Sequence, residues 1–447
     1  MRERSLHGLV LLFVACASGR GASHPNHVVE PVASESQPFE TVPYLDRAVA
    51  LVSQKRGLAV RKPVKGARVS RTVLATQIRA HVAREVPERD VEAEEAMLKL
   101  LGVVARDVNY REVVLAMLGS DVAGYYEPAD MTLYVSDDIK DAAGVLALIH
   151  EVEHALQDQY FGLGKRMKRV SGQSDALIAA SALAEGDATL AMVAVQGDEE
   201  HVRDGIQTMR DRLVRKVEDN VTVDQPGPPR IVQRSILASY AYGFVFVSDA
   251  FLKGGWPTVN PLWENPPVTS EQLLHPDKYR DREIAESVPS AAEILRNEGY
   301  EIVTEDTYGE LSIRLLLSEL QYGGVLQPFG AGWAGDRGVV AKRKGHYAFV
   351  WRMRYDHESD ARRDEQAWAW KGRDRMHTTA TPCNPNARAV VPGYSAAAGH
   401  VGVVAPTAVV LQGRDLVVTA GPASIVADDA GTCSDALRIA RAALAQR

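Results

Sequence analysis

The chain lacks three things that would have classified it at once. It has no excess of basic charge: 51 Lys and Arg face 58 Asp and Glu over 447 residues, a formal net charge of −7. No domain-sized cluster of Lys and Arg supplies a local footprint either, so DNA or RNA binding is disfavoured. After residue 15 no stretch reaches the ~18 uninterrupted apolar positions that a membrane helix needs. Cysteine is scarce, with three in all, which leaves one even pair once the leader's Cys16 is set aside. Glycine and proline, at 35 and 22, are too few for a collagen-like chain, and 46% hydrophobic content is too much for a disordered one. Neither a G-x-x-x-x-G-K phosphate loop nor a G-x-S-x-G elbow occurs, so nucleotide hydrolysis and serine esterase chemistry have no support. What remains is an ordered, soluble protein long enough for two domains.

The first residues carry an address. Arg2 and Arg4 precede the apolar run Leu9 to Ala15, and small residues follow, which reads as a secretory signal over residues 1–22. Phe13-Val14-Ala15-Cys16 resembles the lipobox of bacterial lipoproteins, with Phe in place of the usual Leu; that resemblance implies acylation of Cys16 and a membrane anchor in the cell envelope. The alternative is plain secretion or a periplasmic location. Cys383 and Cys433 would then form a disulfide in an oxidising compartment. Residues 23–41, rich in Ser, Pro, His and Glu, suit a tether to a folded body.

Beyond the tether, apolar residues recur at spacings of three and four up to about residue 118, so helices dominate there. Gly124-Tyr125-Tyr126 and Thr132 to Val135 flank a Pro128-Ala129-Asp130 turn and read as a hairpin. Helices follow over about Asp141 to Tyr160, Ser174 to Gln196, Val202 to Glu218 and Ile231 to Leu252. Pro257, Pro261, Pro266 and Pro267 predict an irregular stretch, and Gly309 to Leu320 another helix. Tyr347 to Met353 and Asp415 to Ala420 read as strands. The runs Glu92 to Glu95 and Arg362 to Glu365 read as solvated helix faces. A domain boundary is placed near residue 300, dividing 42–300 from 301–447.

His150-Glu151-Val152-Glu153-His154 carries the chemistry. This H-E-x-x-H lies inside an apolar-periodic helix, so both imidazoles leave one face a turn apart, as a zinc ion requires, with Glu151 beside them to take a proton from bound water. Chance would produce the pattern roughly 0.02 times in a chain of this composition. Catalytic zinc takes a third protein ligand and keeps one position open. With no His between His154 and His201, the metzincin arrangement is excluded. Glu185, on the otherwise apolar segment Ala182 to Thr189, is the expected third ligand and Asp187 its rival.

At this point the sequence resembles known proteins. HEVEHALQDQYFGL, residues 150–163, is similar to the active-site helix of gluzincin metallopeptidases such as thermolysin, and that likeness implies that Asp158 orients a zinc-bound imidazole. More of the chain, residues 123–337, is similar to a family of prokaryotic exported and surface proteins that read as zinc metallopeptidases. The segments AGYYEPADMTLYV, HEVEHALQDQYF, ALAEGDAT, SYAYGFVFV, GGWPTVNPLWENPPVTSEQLLHPDKY, GELSIRLLL and GAGWAGDR carry this second likeness. It also implies that the strand near Ala123 to Tyr126 pairs with an extended substrate.

The expected fold is α+β: a mainly helical zincin-like catalytic domain with a short hairpin, and a smaller α+β C-terminal domain. The expected function is zinc-dependent hydrolysis of a peptide or protein substrate, using one Zn2+. His275, Tyr242 and Tyr279 are the candidates for stabilising the oxyanion. The rival is an inert zincin-fold envelope protein that binds or assembles, with Trp333, Trp351, Trp368 and Trp370 as its working surface.

Overall fold

The computed structural model describes residues 42, 44–121, 123–138, 142–168, 170, 172–218, 229–320, 328–370, 405–424 and 433–446. The expected leader with Cys16, the tether and Cys383 lie outside the described residues. Cys433 is disulfide-bonded.

The protein is α+β. The chain opens with α1 (Leu45–Arg56), which ends on Gly57 at φ 75°. β1 (Lys65–Val69) follows, a strand too short and polar to register in the helical spacing. α2 (Arg71–Glu85) begins where the Ser70 hydroxyl accepts the Val73 N–H. α3 (Glu88–Leu100) starts after Pro87 with Glu88 and Asp90 in its first turn, where carboxylates favour the helix dipole. α4 (Tyr110–Asp121) completes this group.

β2 (Gly124–Glu127) and β3 (Thr132–Ser136) form an antiparallel hairpin with Tyr125 opposite Tyr134. Its turn puts Met131 at φ 58°, and the Asp130 carboxylate accepts the Thr132 N–H there. β1 pairs in parallel with the other side of β3, so the sheet order is β1-β3-β2 and β2 is an edge.

A helical layer follows: α5 (Ala142–Phe161), the short α6 (Leu163–Arg166), α7 (Ser174–Ala194), α8 (Glu199–Glu218) and α9 (Arg230–Gly254). α7 and α9 are long and apolar enough to cross a membrane, yet the most apolar window of α7 is 83% buried inside the protein. The two helices cross backbone to backbone. A Cβ on Gly243 would sit 1.9 Å from the Ala182 carbonyl oxygen, and one on Gly186 2.2 Å from the Gly243 carbonyl oxygen. That crossing holds the middle of α7, with Glu185 and Asp187, deep in the fold.

The proline-rich stretch expected to be irregular contains α10 (Trp256–Glu264), α11 (Ser270–Leu274) and α12 (Pro276–Asp281). Pro257 and Pro276 occupy first-turn positions, where the missing N–H costs nothing, and α10 runs on to Glu264 with Pro261 inside it.

α13 (Ala292–Asn297) leads into β4 (Glu301–Asp306), α14 (Gly309–Leu320), β5 (Trp333–Arg343), β6 (His346–Tyr355), α15 (Glu358–Trp370), β7 (Thr407–Gln412), β8 (Asp415–Ser424) and α16 (Cys433–Ala445). The strands form one antiparallel sheet in the order β4-β5-β6-β8-β7. β5 and β6 join through Lys344 and Gly345, both at positive φ (50° and 82°), the hand that suits a two-residue hairpin.

Alternation sends Val340, Phe349, Trp351, Met353 and Val418 into a core shared with α2, α3, α4, α14 and α15. Val339, Ala341, Ala348, Val350 and Val417 enter a second core under α13 and α16. The sheet is therefore buried on both faces, and apolar packing is continuous across residue 300.

Two expectations are corrected here. Trp333, Trp351 and Trp368 are no working surface: they are at most 1% exposed, and the first two donate their indole N–H groups to the buried Asp336. The side chain of Trp370 lies outside the described residues. Nor are the charged runs simply solvated. Glu92 takes hydrogen bonds from Lys342 and Tyr347, docking α3 on the sheet, and Asp364 is buried against the Tyr355 hydroxyl and the Gly330 N–H.

At Gly243 an added methyl meets backbone, which cannot give way as a side chain can. Gly243→Ala is therefore expected to destabilise the protein by about 1–3 kcal/mol, read as a lower urea midpoint. An unchanged midpoint would show that the two helices do not cross as described.

Candidate metal centre

The histidines of the H-E-x-x-H segment sit on α5 with their Nε2 atoms 3.0 Å apart. Glu185, from the middle of α7, brings its Oε2 within 3.0 Å of His150 Nε2 and 3.7 Å of His154 Nε2. Two imidazole nitrogens and one carboxylate oxygen thus form a nearly equilateral triangle of donors able to hold a metal ion. A tetrahedral ion with bonds of about 2.0–2.1 Å keeps its ligands roughly 3.3 Å apart, and the observed separations bracket that value. All three residues are at most 3% exposed.

The tautomer of His154 follows from a neighbour that sequence reasoning missed. Gln157 donates its amide nitrogen to the Ala184 carbonyl of α7 at 3.0 Å, so its oxygen must face His154 Nδ1, 2.9 Å away. That oxygen can only accept. His154 Nδ1 therefore carries a hydrogen, and Nε2 is the nitrogen whose lone pair would reach the triangle once its proton is displaced. Asp158, expected in this orienting role, instead accepts the Tyr126 hydroxyl at 3.0 Å and the Gly164 N–H at 2.9 Å. Both residues share the helix face of His154, three and four positions on. Spacing alone could not choose between them.

Burial and mutual contacts set the protonation of the cluster. Burial lowers the His150 imidazole, keeping it neutral. Burial also opposes charge on His154, but the hydrogen bond and charge of Glu185, with the charge of Glu151, outweigh it and lift His154 to about 9. For Glu185 burial pushes upward, and hydrogen bonds from both histidines override it, holding the carboxyl at about 2. Glu151, 1% exposed, is pushed up to about 8 by burial, and its Oε2 accepts the Tyr126 N–H of edge strand β2 at 2.9 Å. The neutral His150 has no hydrogen-bond partner for its buried Nδ1. Two imidazoles and a carboxylate converging at one buried point are the donor types a divalent cation takes up on displacing the imidazole protons.

The remaining candidates make contacts of their own. The rival ligand Asp187 faces Arg56 and Trp263. His275 Nε2 contacts the buried Glu310 of α14 at 2.9 Å, and Glu310 also takes a hydrogen bond from Arg314 at 2.6 Å. The Tyr242 phenol lies beside the same Arg314. Tyr279 donates its hydroxyl to the Asn265 carbonyl and packs its ring edge-on to Phe246. The aromatic that meets the histidines is Tyr240, whose ring stacks on His150 at 5.9 Å. It stands two residues before Tyr242 in the same S-Y-A-Y-G segment, and only the orientation of α9 separates them. A second acidic group, Glu271, Glu283 and Asp356, also converges. Its centre is occupied by Lys278 Nζ, at 3.3, 2.5 and 2.7 Å from the three carboxylates, so an ammonium fills the place of a cation.

Residues 298–430 match a family described as a domain of unknown function (DUF8575). The match begins just before β4 and excludes α5 and α7. No curated protein and no solved structure matches the chain.

Two predictions follow from the protonation pattern and from Gln157. Zinc uptake must displace the proton of the raised His154 imidazole, so binding at neutral pH is expected to release protons, and affinity to fall as the pH is lowered. Calorimetry in buffers of different ionisation heat measures the release; none would contradict the assignment of His154. Gln157→Ala is expected to weaken zinc binding about 10- to 100-fold, with a smaller effect from Asp158→Asn. Equal losses in a competition titration would undo the choice between them.

Proposed function

We propose that this chain is a zinc-dependent peptide hydrolase of the gluzincin type, with α5, α7 and edge strand β2 as the working parts of a zincin-like catalytic domain. The observation that carries the reading is the convergence of His150 Nε2, His154 Nε2 and Glu185 Oε2 beside Glu151. A zinc ion held there supplies a Lewis acid that polarises a substrate carbonyl and acidifies water to a pKa of ~7.

The other steps fall to the chain's own groups. Glu151 takes a proton from the water that attacks the scissile carbonyl carbon, and delivers it to the amine nitrogen as the C–N bond breaks. Gln157 holds His154 in the ligating tautomer. β2 is a sheet edge whose Tyr126 N–H is held by Glu151, so an extended peptide would pair there as Glu151 turns to the water. The residue 1–22 segment with Cys16 makes the protein an exported one, anchored by lipid in the cell envelope.

One observation favours a second reading. His150, Glu151, His154 and Glu185 are all at most 3% exposed, as in a closed structural metal site, which would suit an envelope binding protein without turnover.

Glu151→Gln separates the two. In the hydrolase this variant keeps its zinc and loses peptide cleavage by about 10²–10⁴-fold in kcat. In a structural site neither protein cleaves any member of a broad peptide library, and stripping the metal lowers the melting temperature of both equally. That second pattern would overturn the hydrolase.

A further inference from the structure

We infer that Arg56 is a positioning residue for the metal centre: its buried guanidinium holds Asp187 of α7 by a bidentate pair and stands against Glu153 of α5, the acidic neighbours of the ligands Glu185 and His154. This inference rests on the metal reading above.

Arg56 closes α1 and is completely buried. Nε and one terminal nitrogen meet the two oxygens of Asp187 at 2.9 and 3.0 Å, a bidentate pair, and Nε lies 3.3 Å from Glu153 Oε1. The other terminal nitrogen donates to Asn260 Oδ1 at 2.8 Å. The Trp256 ring covers the guanidinium at 4.3 Å, and Trp263 donates its indole N–H to Asp187 at 2.8 Å. One planar cation thereby bonds α1 to α7 and α10 and packs against Glu153 of α5.

Sequence spacing explains why this grip bears on the centre. Glu153 stands immediately before His154. Asp187 follows Glu185 by two residues, roughly 200° around the helix, so it leaves α7 on the side away from the donor triangle. Any slide or roll of α5 relative to α7 must therefore change both the triangle and the Arg56 contacts.

A buried ion cluster is a poor way to gain stability, since apolar residues of similar volume commonly do as well or better. The bidentate pair to Asp187 does impose directional bonds of set length, and Glu153 of α5 is packed against the same guanidinium. Metal ligation tolerates errors of only about 0.2 Å, and apolar packing between two helices does not hold such a register. Besides the clamp, Gln157 to the Ala184 carbonyl is a polar link between the same helices, and it too acts next to a ligand.

Cobalt titration of the full chain tests the inference, with Co2+ as the probe and its visible absorption reporting coordination. Wild type, Arg56→Lys and Asp187→Asn are compared, with folding checked by circular dichroism. Arg352→Lys is the control, because Arg352 is a comparably buried arginine paired with Asp415 in the C-terminal sheet. Arg56→Lys and Asp187→Asn are expected to bind Co2+ about 10- to 100-fold more weakly, with an altered band shape, while Arg352→Lys matches wild type. If Arg56→Lys does not fold, Asp187→Asn decides on the same two readouts. Wild-type affinity and spectrum in the folded variants would overturn the clamp and leave the metal reading standing. An equal loss in Arg352→Lys would trace the effect to general destabilisation and overturn it too. A wild-type chain that takes up no cobalt would sink the metal reading, and the clamp with it.

Discussion

Six ionisable side chains around one point of the fold, His150, Glu151, Glu153, His154, Glu185 and Asp187, are buried on two helices whose other inward residues are mostly apolar. Charge in a low-dielectric interior must be paired, hydrogen-bonded or neutralised, and much of the surrounding structure meets that demand. The six divide into two sets. His150, His154 and Glu185 meet one another, with Glu151 held on the N–H of an edge strand. Glu153 and Asp187 meet Arg56. Each helix contributes to both sets, so α5 and α7 are joined by two polar contacts of different kind. The glycine crossing of α7 with α9 keeps the whole arrangement deep.

Polar residues outside that pair of helices answer the same demand in other places. Asp336 accepts two indole N–H groups and two backbone N–H groups at the start of α14, so the G-A-G-W-A-G-D segment holds up the fold. Lys278 gathers three carboxylates and links α12 to the end of β6. His275 and Tyr242, chemically suited to an oxyanion, make polar contacts with Glu310 and Arg314. Segments that resemble a metallopeptidase family therefore include many residues whose observed work is packing and ion pairing.

Legibility followed period and length. α5, α7, α9 and α14 were readable because an amphipathic or apolar repeat over a dozen or more residues outweighs local noise. The β2–β3 hairpin was readable from its aromatic runs and Pro-Ala-Asp turn. β1, with five residues and a charged start, carried too little pattern; α12 was hidden by a proline that is harmless in a first turn, and α10 by Pro257 in its first turn and Pro261 in its interior. The tryptophans misled because aromatic content marks a core as readily as a binding face.

At the centre, the sequence by itself determined the donor types and their spacing. Two histidines four apart on a helix must share a face, and a lone Glu in an apolar helix must have a partner. Tertiary structure decided everything that depends on how one element is turned against another. Glu185 rather than Asp187 reaches the histidines, Gln157 rather than Asp158 orients His154, and Tyr240 rather than Tyr242 covers His150. Each of these choices lies between residues one or two positions apart. A difference of that size is a rotation of about 100–200° about the helix axis, and it is set by long-range packing that no local pattern records. Arg56 is the extreme case, since nothing near it in the chain announces that it will be buried between two carboxylates from helices that come later.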